Sequence, residues 1–298
     1  GQEGSMKLNV SSSVEFSSPF VMPKFQNVYG TAADSYLSWG DRMENPQSWE
    51  PKDFFNTGTN FNNSFNLSVG TAKNQTYISA SAVNAKGLVE NNKYHRYNFT
   101  VRNTAKMLND KLTLDISASY VREFYNNMVS SGTYFNPIVG VYLYPRGMNF
   151  DSERYFERYD AELGYNTQNW GPGNMGLDVQ NPYWIAYRNI RPEAKDRYMI
   201  YASAKYDIAD FLNITGRLRL DNTYTELEDK RYASTISTFA GSNGRYRYSN
   251  ESFKQKYADV IVNFDKQFAE IYHATVIAGV SFEEYDTKSH GYGGDLLQ

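Results

Sequence analysis

The chain has 298 residues, a formal net charge of −3, 26 Tyr against 4 Trp, and no cysteine. Without cysteine, disulfide scaffolds, cysteine-based zinc sites and thiol catalysis are excluded, and scattered Lys and Arg at this charge give no footprint for nucleic acid. No stretch approaches the roughly 18 apolar residues of a membrane-spanning helix, but a mean hydropathy of −0.63 does not bear on strands that alternate apolar with polar positions.

The predicted elements are strands, because the apolar period is two. Residues 5–18 open the series: Met6, Leu8, Val10, Val14 and Phe16 alternate with Lys7, Asn9, Ser11, Ser13 and Glu15. Phe65, Leu67 and Val69 follow, then a weaker run over 75–86, then Tyr97, Phe99 and Val101. Leu112, Leu114, Ile116, Ala118 and Tyr120 form the fifth run, and Tyr198, Ile200, Ala202, Ala204 and Tyr206 the sixth. Leu212, Ile214, Leu218 and Leu220, a second weak run over 254–265, and Tyr272 through Val276 and Val280 to Phe282 bring the expected number to nine.

Short connections, Gly70 to Gln75, Met107 to Asp110, Ile208 to Asp210 and Asp265 to Ala269, alternate with longer ones over 19–61, 87–93, 125–194 and 228–253. That rhythm describes an antiparallel up-and-down meander with tight turns on one rim and loops on the other. Alternation by itself fits a soluble sandwich or a lipocalin-like barrel equally well. The rhythm, the strand length and the Asn, Ser, Thr, Lys and Arg of the second face favour a transmembrane barrel. Tyr206, Phe211 and Phe268 beside the short turns suit either an interfacial girdle or ordinary hairpin packing.

Residues 22–30 read Met-Pro-Lys-Phe-Gln-Asn-Val-Tyr-Gly, and this segment resembles a signature of SusC/RagA-type TonB-linked outer-membrane proteins just after their plug. Asn62 to Gly70, Tyr77 to Ser81, Lys86-Gly87 and Arg96-Tyr97-Asn98-Phe99 are similar to that family's first barrel hairpins. Leu143-Tyr144-Pro145-Arg146-Gly147-Met148, Asn181-Pro182-Tyr183-Trp184, and Tyr206-Asp207 with Asp210 to Asn213 are similar to later landmarks in the same order. Val28 departs from the pattern, where an acidic residue is expected. The resemblance covers essentially the whole chain. It implies a 22-stranded barrel around an N-terminal plug, import of a bulky glycan or peptide with energy from TonB, and a SusD-type surface lipoprotein as lid. It places the chain in the outer membrane of a Gram-negative bacterium, in contact with lipid. Residues 1–298 then read as a partial barrel domain of about nine strands with long extracellular loops. It starts after the plug and stops at Leu296-Leu297-Gln298, before the closing strands and the terminal aromatic; Gly1 to Lys7 show no leader peptide.

Candidate chemistry is sparse. Gly171-Pro-Gly173-Asn-Met-Gly176 fits GxGxxG without the strand and helix that a phosphate loop needs. His95, His273 and His290 lack metal-ligand spacing, there is no GxSxG elbow, and no carboxylates are paired by position, so neither metal nor cofactor is expected. The loops are the expected ligand-binding region. Segments 19–61 and 125–194 hold all four Trp, and Trp39, Trp49, Tyr134, Tyr142, Tyr144, Trp170, Tyr183 and Trp184 are the candidates for stacking on a sugar ring or peptide backbone. Phe135 belongs to the same aromatic set, and Arg146 between Pro145 and Gly147 suits a turn. The expected role is transport with no enzymatic activity. Two alternatives remain: an outer-membrane barrel enzyme, which needs a clustered His, Ser or carboxylate site at the rim, and a soluble secreted carbohydrate-binding β-protein.

Overall fold

The computed structural model describes Gly4 and residues 6–32, 35–174, 176–269 and 271–297. Gly1 to Glu3, Ser5 at the head of the first expected strand, Met175 in the glycine pattern, and Gln298 lie outside the described residues.

Nine long strands form one antiparallel sheet. They are β1 (Met6–Ser17), β2 (Gly58–Gly70), β3 (Asn74–Lys86), β4 (Lys93–Met107), β5 (Leu112–Asn126), β9 (Pro192–Ala209), β10 (Leu212–Arg231), β11 (Arg245–Phe268) and β12 (Tyr272–Asp295). Between β5 and β9 the chain adds the hairpin β6 (Glu157–Asp160) and β7 (Tyr165–Gln168), helices α1 (Pro137–Leu143) and α2 (Pro182–Arg188), and β8 (Asn189–Ile190), which pairs with the end of β10. Spatial order follows chain order, and the sheet is open, with β1 and β12 as its edges. No described helix is long and apolar enough to cross a membrane.

The register makes the alternation collective. One row runs Val10, Phe65, Ala80, Phe99, Tyr120 and Tyr198 through directly paired positions of β1 to β9. Another runs Ile116, Ala202, Leu218, Ala258 and Phe282 from β5 to β12. Because Cβ atoms alternate across a strand, all these side chains share one face. They are not gathered into a dry interior: Ile116 is 53%, Leu218 60% and Val280 72% exposed.

The second face is polar and laced with cross-strand pairs. Arg102 binds Asp115 at 2.5 Å, Arg197 binds Asp221 at 2.5 Å, and Arg217 binds Asp259 at 2.7 Å. Opposite charges facing one another across a ladder contribute a few tenths to about 1 kcal/mol each, so this face is ordered by side-chain pairing rather than by burial.

Several expected boundaries change, two of them in the long links. The link expected over 228–253 narrows to 232–244, because β10 runs on to Arg231 and β11 starts at Arg245. The ladder continues there with polar residues on both faces, such as Glu226 opposite Asn250, so no apolar alternation marks it. The link expected over 125–194 is not an unstructured loop but the helices and hairpin just described. Both helices begin with an Asn cap followed by Pro: Asn136 accepts from the Ile138 amide and Asn181 from the Tyr183 amide. An Asn cap supplies the acceptor that the first turn lacks, and Pro at the first position loses no hydrogen bond.

Candidate functional site

The turns 71–73, 108–111 and 210–211 and the β11–β12 connection lie at one end of the sheet, and the links 18–57, 87–92, 127–191 and 232–244 at the other. The long links fold together into a cap with its own core of Trp49, Phe54, Val89, Val141, Tyr144, Phe150, Tyr183 and Ala186. Trp184 is wholly buried, and its indole N–H donates to Thr235 Oγ1 at 3.4 Å. Asn91 and Asn127, from two different links, both donate to the Ala186 carbonyl, at 2.9 and 2.7 Å. Helix α2 is thus the hub where three links meet.

Three segments distant in sequence converge here. Arg146 is 2% exposed, donates through Nε to the Gln26 carbonyl at 3.1 Å, binds Asn27 Oδ1 and the Trp49 carbonyl, and lies 4.3 Å over the Trp49 ring. It sits in the turn expected from Pro145 and Gly147, closed by the Met148 amide donating to the Pro145 carbonyl at 3.1 Å, and its side chain also clamps residues 26–49 to the cap. Desolvation lowers its pKa from the usual arginine range, and three carbonyl acceptors with a ring face offset that loss. Tyr142 packs on Phe25 with centroids 5.7 Å apart, and Gly147 sits beside Gly30, so that a Cβ on Gly147 would stand 3.6 Å from the Gly30 Cα. Residues 22–30 and 143–148 are therefore one docking contact. Val28, the departure from the expected pattern, is 44% exposed, and its carbonyl accepts from the Met43 amide at 2.9 Å.

Asn181 ties in the third segment. Its side chain donates to the Glu153 and Asn169 carbonyls, at 2.9 and 2.8 Å. The Glu153 carboxylate is 2% exposed and accepts from Tyr144 Oη at 2.8 Å and the Gly171 amide at 3.1 Å. Burial raises its pKa above the ordinary 4.5, against hydrogen bonds from Gly171, Tyr144 and Ser152 that favour the ionised form. Burial also pushes the Tyr183 hydroxyl up to about 12. For a carboxyl whose folded-state pKa is raised, the associated stability is present below about pH 4.5 and is lost as pH rises through the folded value. Glu153→Gln, always neutral, is expected to remove that decline. The check is the pH dependence of the denaturant midpoint followed by cap tryptophan fluorescence; an unchanged slope would show that Glu153 does not govern it.

The eight aromatic candidates divide by placement. Trp49, Tyr144, Tyr183 and Trp184 are buried within the cap and present no face to a ligand. Tyr142 and Trp170 are partly buried against that core, and the Trp170 indole donates to Tyr36 Oη at 3.1 Å. Trp39 is 84% and Tyr134 39% exposed: Trp39 belongs to the first link, while Tyr134 meets Phe239 at a tilt, with centroids 5.0 Å apart. Phe135 also meets Phe239, and the Arg231 guanidinium lies 4.5 Å from its ring centre. Phe211 packs edge-on against Phe264 at 5.6 Å, with Lys266 Nζ 4.4 Å from its ring, while Tyr206 and Phe268 are 39% and 43% exposed. His95 bonds Asn84 at 2.7 Å and His273 bonds Asp265. Among the described residues no group of three or more His, Cys, Asp or Glu is placed to hold a metal ion.

No family model matches the chain, and no curated protein matches it in sequence. Similarity appears in three dimensions. A chain in the structure of the RagAB peptide transporter is 14% identical, covering 81% of this chain and 26% of that one, with a TM-score of 0.60. A chain of the RagAB peptide importer in the open-open state is also 14% identical, over 80% of this chain and 25% of that one, at 0.59. In the closed-closed state the match is 13% identical, over 99% of this chain and 36% of that one, at 0.65. At such identities the likeness is one of fold: the open nine-strand meander with its folded loop cap is similar to part of those transporter chains, and it spans between a quarter and about a third of their length.

Proposed function

We propose that this chain is barrel wall and external loops of a SusC/RagA-type outer-membrane importer, which takes up a glycan or peptide with energy from TonB and with a SusD-type lipoprotein over its loops. The observation that carries the reading is the register-matched apolar face, exposed across all nine strands while the buried core lies in the cap. Water-facing sheets bury such a face; a lipid-facing one leaves it bare. Its height is right: at ~3.4 Å per residue and a tilt of about 40°, the run Tyr272 to Phe282 spans roughly 26 Å of an apolar band that is typically about 25 Å tall. The polar face with its Arg and Asp pairs then lines the lumen, and the cap stands outside the cell. Four of the aromatic candidates, Trp49, Tyr144, Tyr183 and Trp184, hold the cap's shape, while Trp39, Tyr134, Tyr142 and Trp170, which keep some exposure, are the ones proposed to touch a nutrient or the lipoprotein. Transport in this reading needs no bond-making chemistry from the chain.

The test uses the full-length protein. Unheated in detergent gels, it is expected to migrate faster than the heated form, and cells lacking it are expected to lose growth on at least one polymeric glycan or peptide mixture. Identical migration with and without heating would overturn the barrel, and unchanged growth on every nutrient tried would overturn import.

A further inference from the structure

Much of the charge on the polar face of the sheet is paired across or along the strands. Arg102, Arg197, Arg217 and Arg231 each have an aspartate partner, but the guanidinium groups of Arg191 and Arg247 make no hydrogen bond or ion pair among the described residues. Both line one cavity of about 380 Å³, beside Leu227, Ser249, Gly291 and Gly293. Its floor is bare for a backbone reason. Gly293 lies directly opposite Arg247 in the register at φ +131°, and a Cβ there would meet the Tyr246 carbonyl oxygen. Gly291 lies opposite Ser249, so no large side chain rises from that pair either. Asp229 also borders the cavity, but Arg231 grips its carboxylate with two hydrogen bonds, at 3.1 and 3.0 Å, so it does not cancel the two free cations.

A neighbouring crevice carries an unsatisfied donor as well. A narrow crevice under α2, also bordered by Arg191, contains Asn189, whose Nδ2 is buried without an acceptor. A buried amide donor left without an acceptor is unfavourable, and two unpaired guanidinium groups sharing a cavity repel each other. A planar anion in the cavity relieves that repulsion: guanidinium forks match carboxylate geometry in a way that a single amine cannot.

We infer that Arg191 and Arg247, above the floor of Gly291 and Gly293, form an anion subsite that binds a carboxylate of the transported nutrient, either an acidic peptide or a uronic-acid sugar. The inference rests on the import reading and gives that reading a ligand class. The site sits where the cap meets the polar face, so a nutrient leaving the loops meets it before the paired stretch of wall.

The experiment is titration calorimetry on the full-length protein in detergent with two probe pairs: an acidic pentapeptide against its fully amidated form, and a tetragalacturonate against its methyl ester. One acidic probe is expected to bind at least about tenfold more tightly than its neutral counterpart, which also tells peptide from sugar. R191Q/R247Q is expected to erase that preference while leaving the neutral probe unchanged, and R191K/R247K to restore part of it. Both side chains are unpaired, so the variants are expected to fold. S249F, which fills the cavity without changing charge, is expected to block the acidic probe. Equal affinity within both pairs, no binding of either acidic probe, or an unaffected R191Q/R247Q protein would overturn the subsite. Import itself is read separately: cells carrying R191Q/R247Q that still grow on a neutral nutrient lost in the deletion strain would retain the transporter while the subsite fails.

Discussion

Trp184→Ala is expected to unfold the cap while leaving the strand wall in place. The indole is wholly buried, and truncating a buried Trp costs about 3–5 kcal/mol through lost contacts and the cavity left behind. The loss falls on the hub of the cap. Helix α2 carries Trp184 between Tyr183, which meets Phe54 at 5.4 Å, and Ala186, whose carbonyl receives both Asn91 and Asn127. The wall does not share this core, since its hydrogen bonds run strand to strand from β1 to β12. The expected result is rapid proteolytic cleavage within 127–191 and loss of nutrient binding, with heat-modifiable migration retained. Simultaneous loss of both would show that cap and wall form one cooperative unit.

The sheet was legible in the sequence wherever a face is apolar. Leu112 to Tyr120 and Tyr272 to Phe282 alternate cleanly, and the tight turns between neighbours leave little freedom of register. Legibility stopped where that face stops: beyond Phe282 the same parity carries Glu284, Asp286, Lys288 and His290, still fully paired with β11 yet without periodicity. The cap is a different case. Its aromatic content was plain, but burial was not, because the contacts that decide it join residues about 100 or more apart, such as Arg146 to Gln26 and Trp49 to Met148. Local signals did exist: Asn-Pro at 136–137 and at 181–182 marks both helix starts, each with its Asn cap in place. The cavity shared by Arg191 and Arg247 had no such signal, since nothing in the sequence says which cations lack a partner.

Val280→Lys against Ser281→Lys separates lipid from water at adjacent residues. Val280 is 72% exposed, and Ser281, its neighbour, projects to the opposite face. In water, a lysine at so exposed a position changes stability by no more than about 0.5 kcal/mol. In a bilayer, the same lysine on the apolar band costs about 2–4 kcal/mol near mid-depth and less toward the interface. Ser281→Lys is the control: the new ammonium stands opposite Asp259, beside the Arg217 pair, on the polar face. The expected outcome, for the full-length protein folded into vesicles, is a lowered denaturation midpoint for Val280→Lys and a midpoint near wild type for Ser281→Lys. The comparison depends on the facing of β12 alone, because both positions lie in the same strand and differ by one residue along its ladder. Equal midpoints would mean that the apolar face does not meet lipid, and would leave the exposed rows from Val10 to Phe282 to be covered by protein instead.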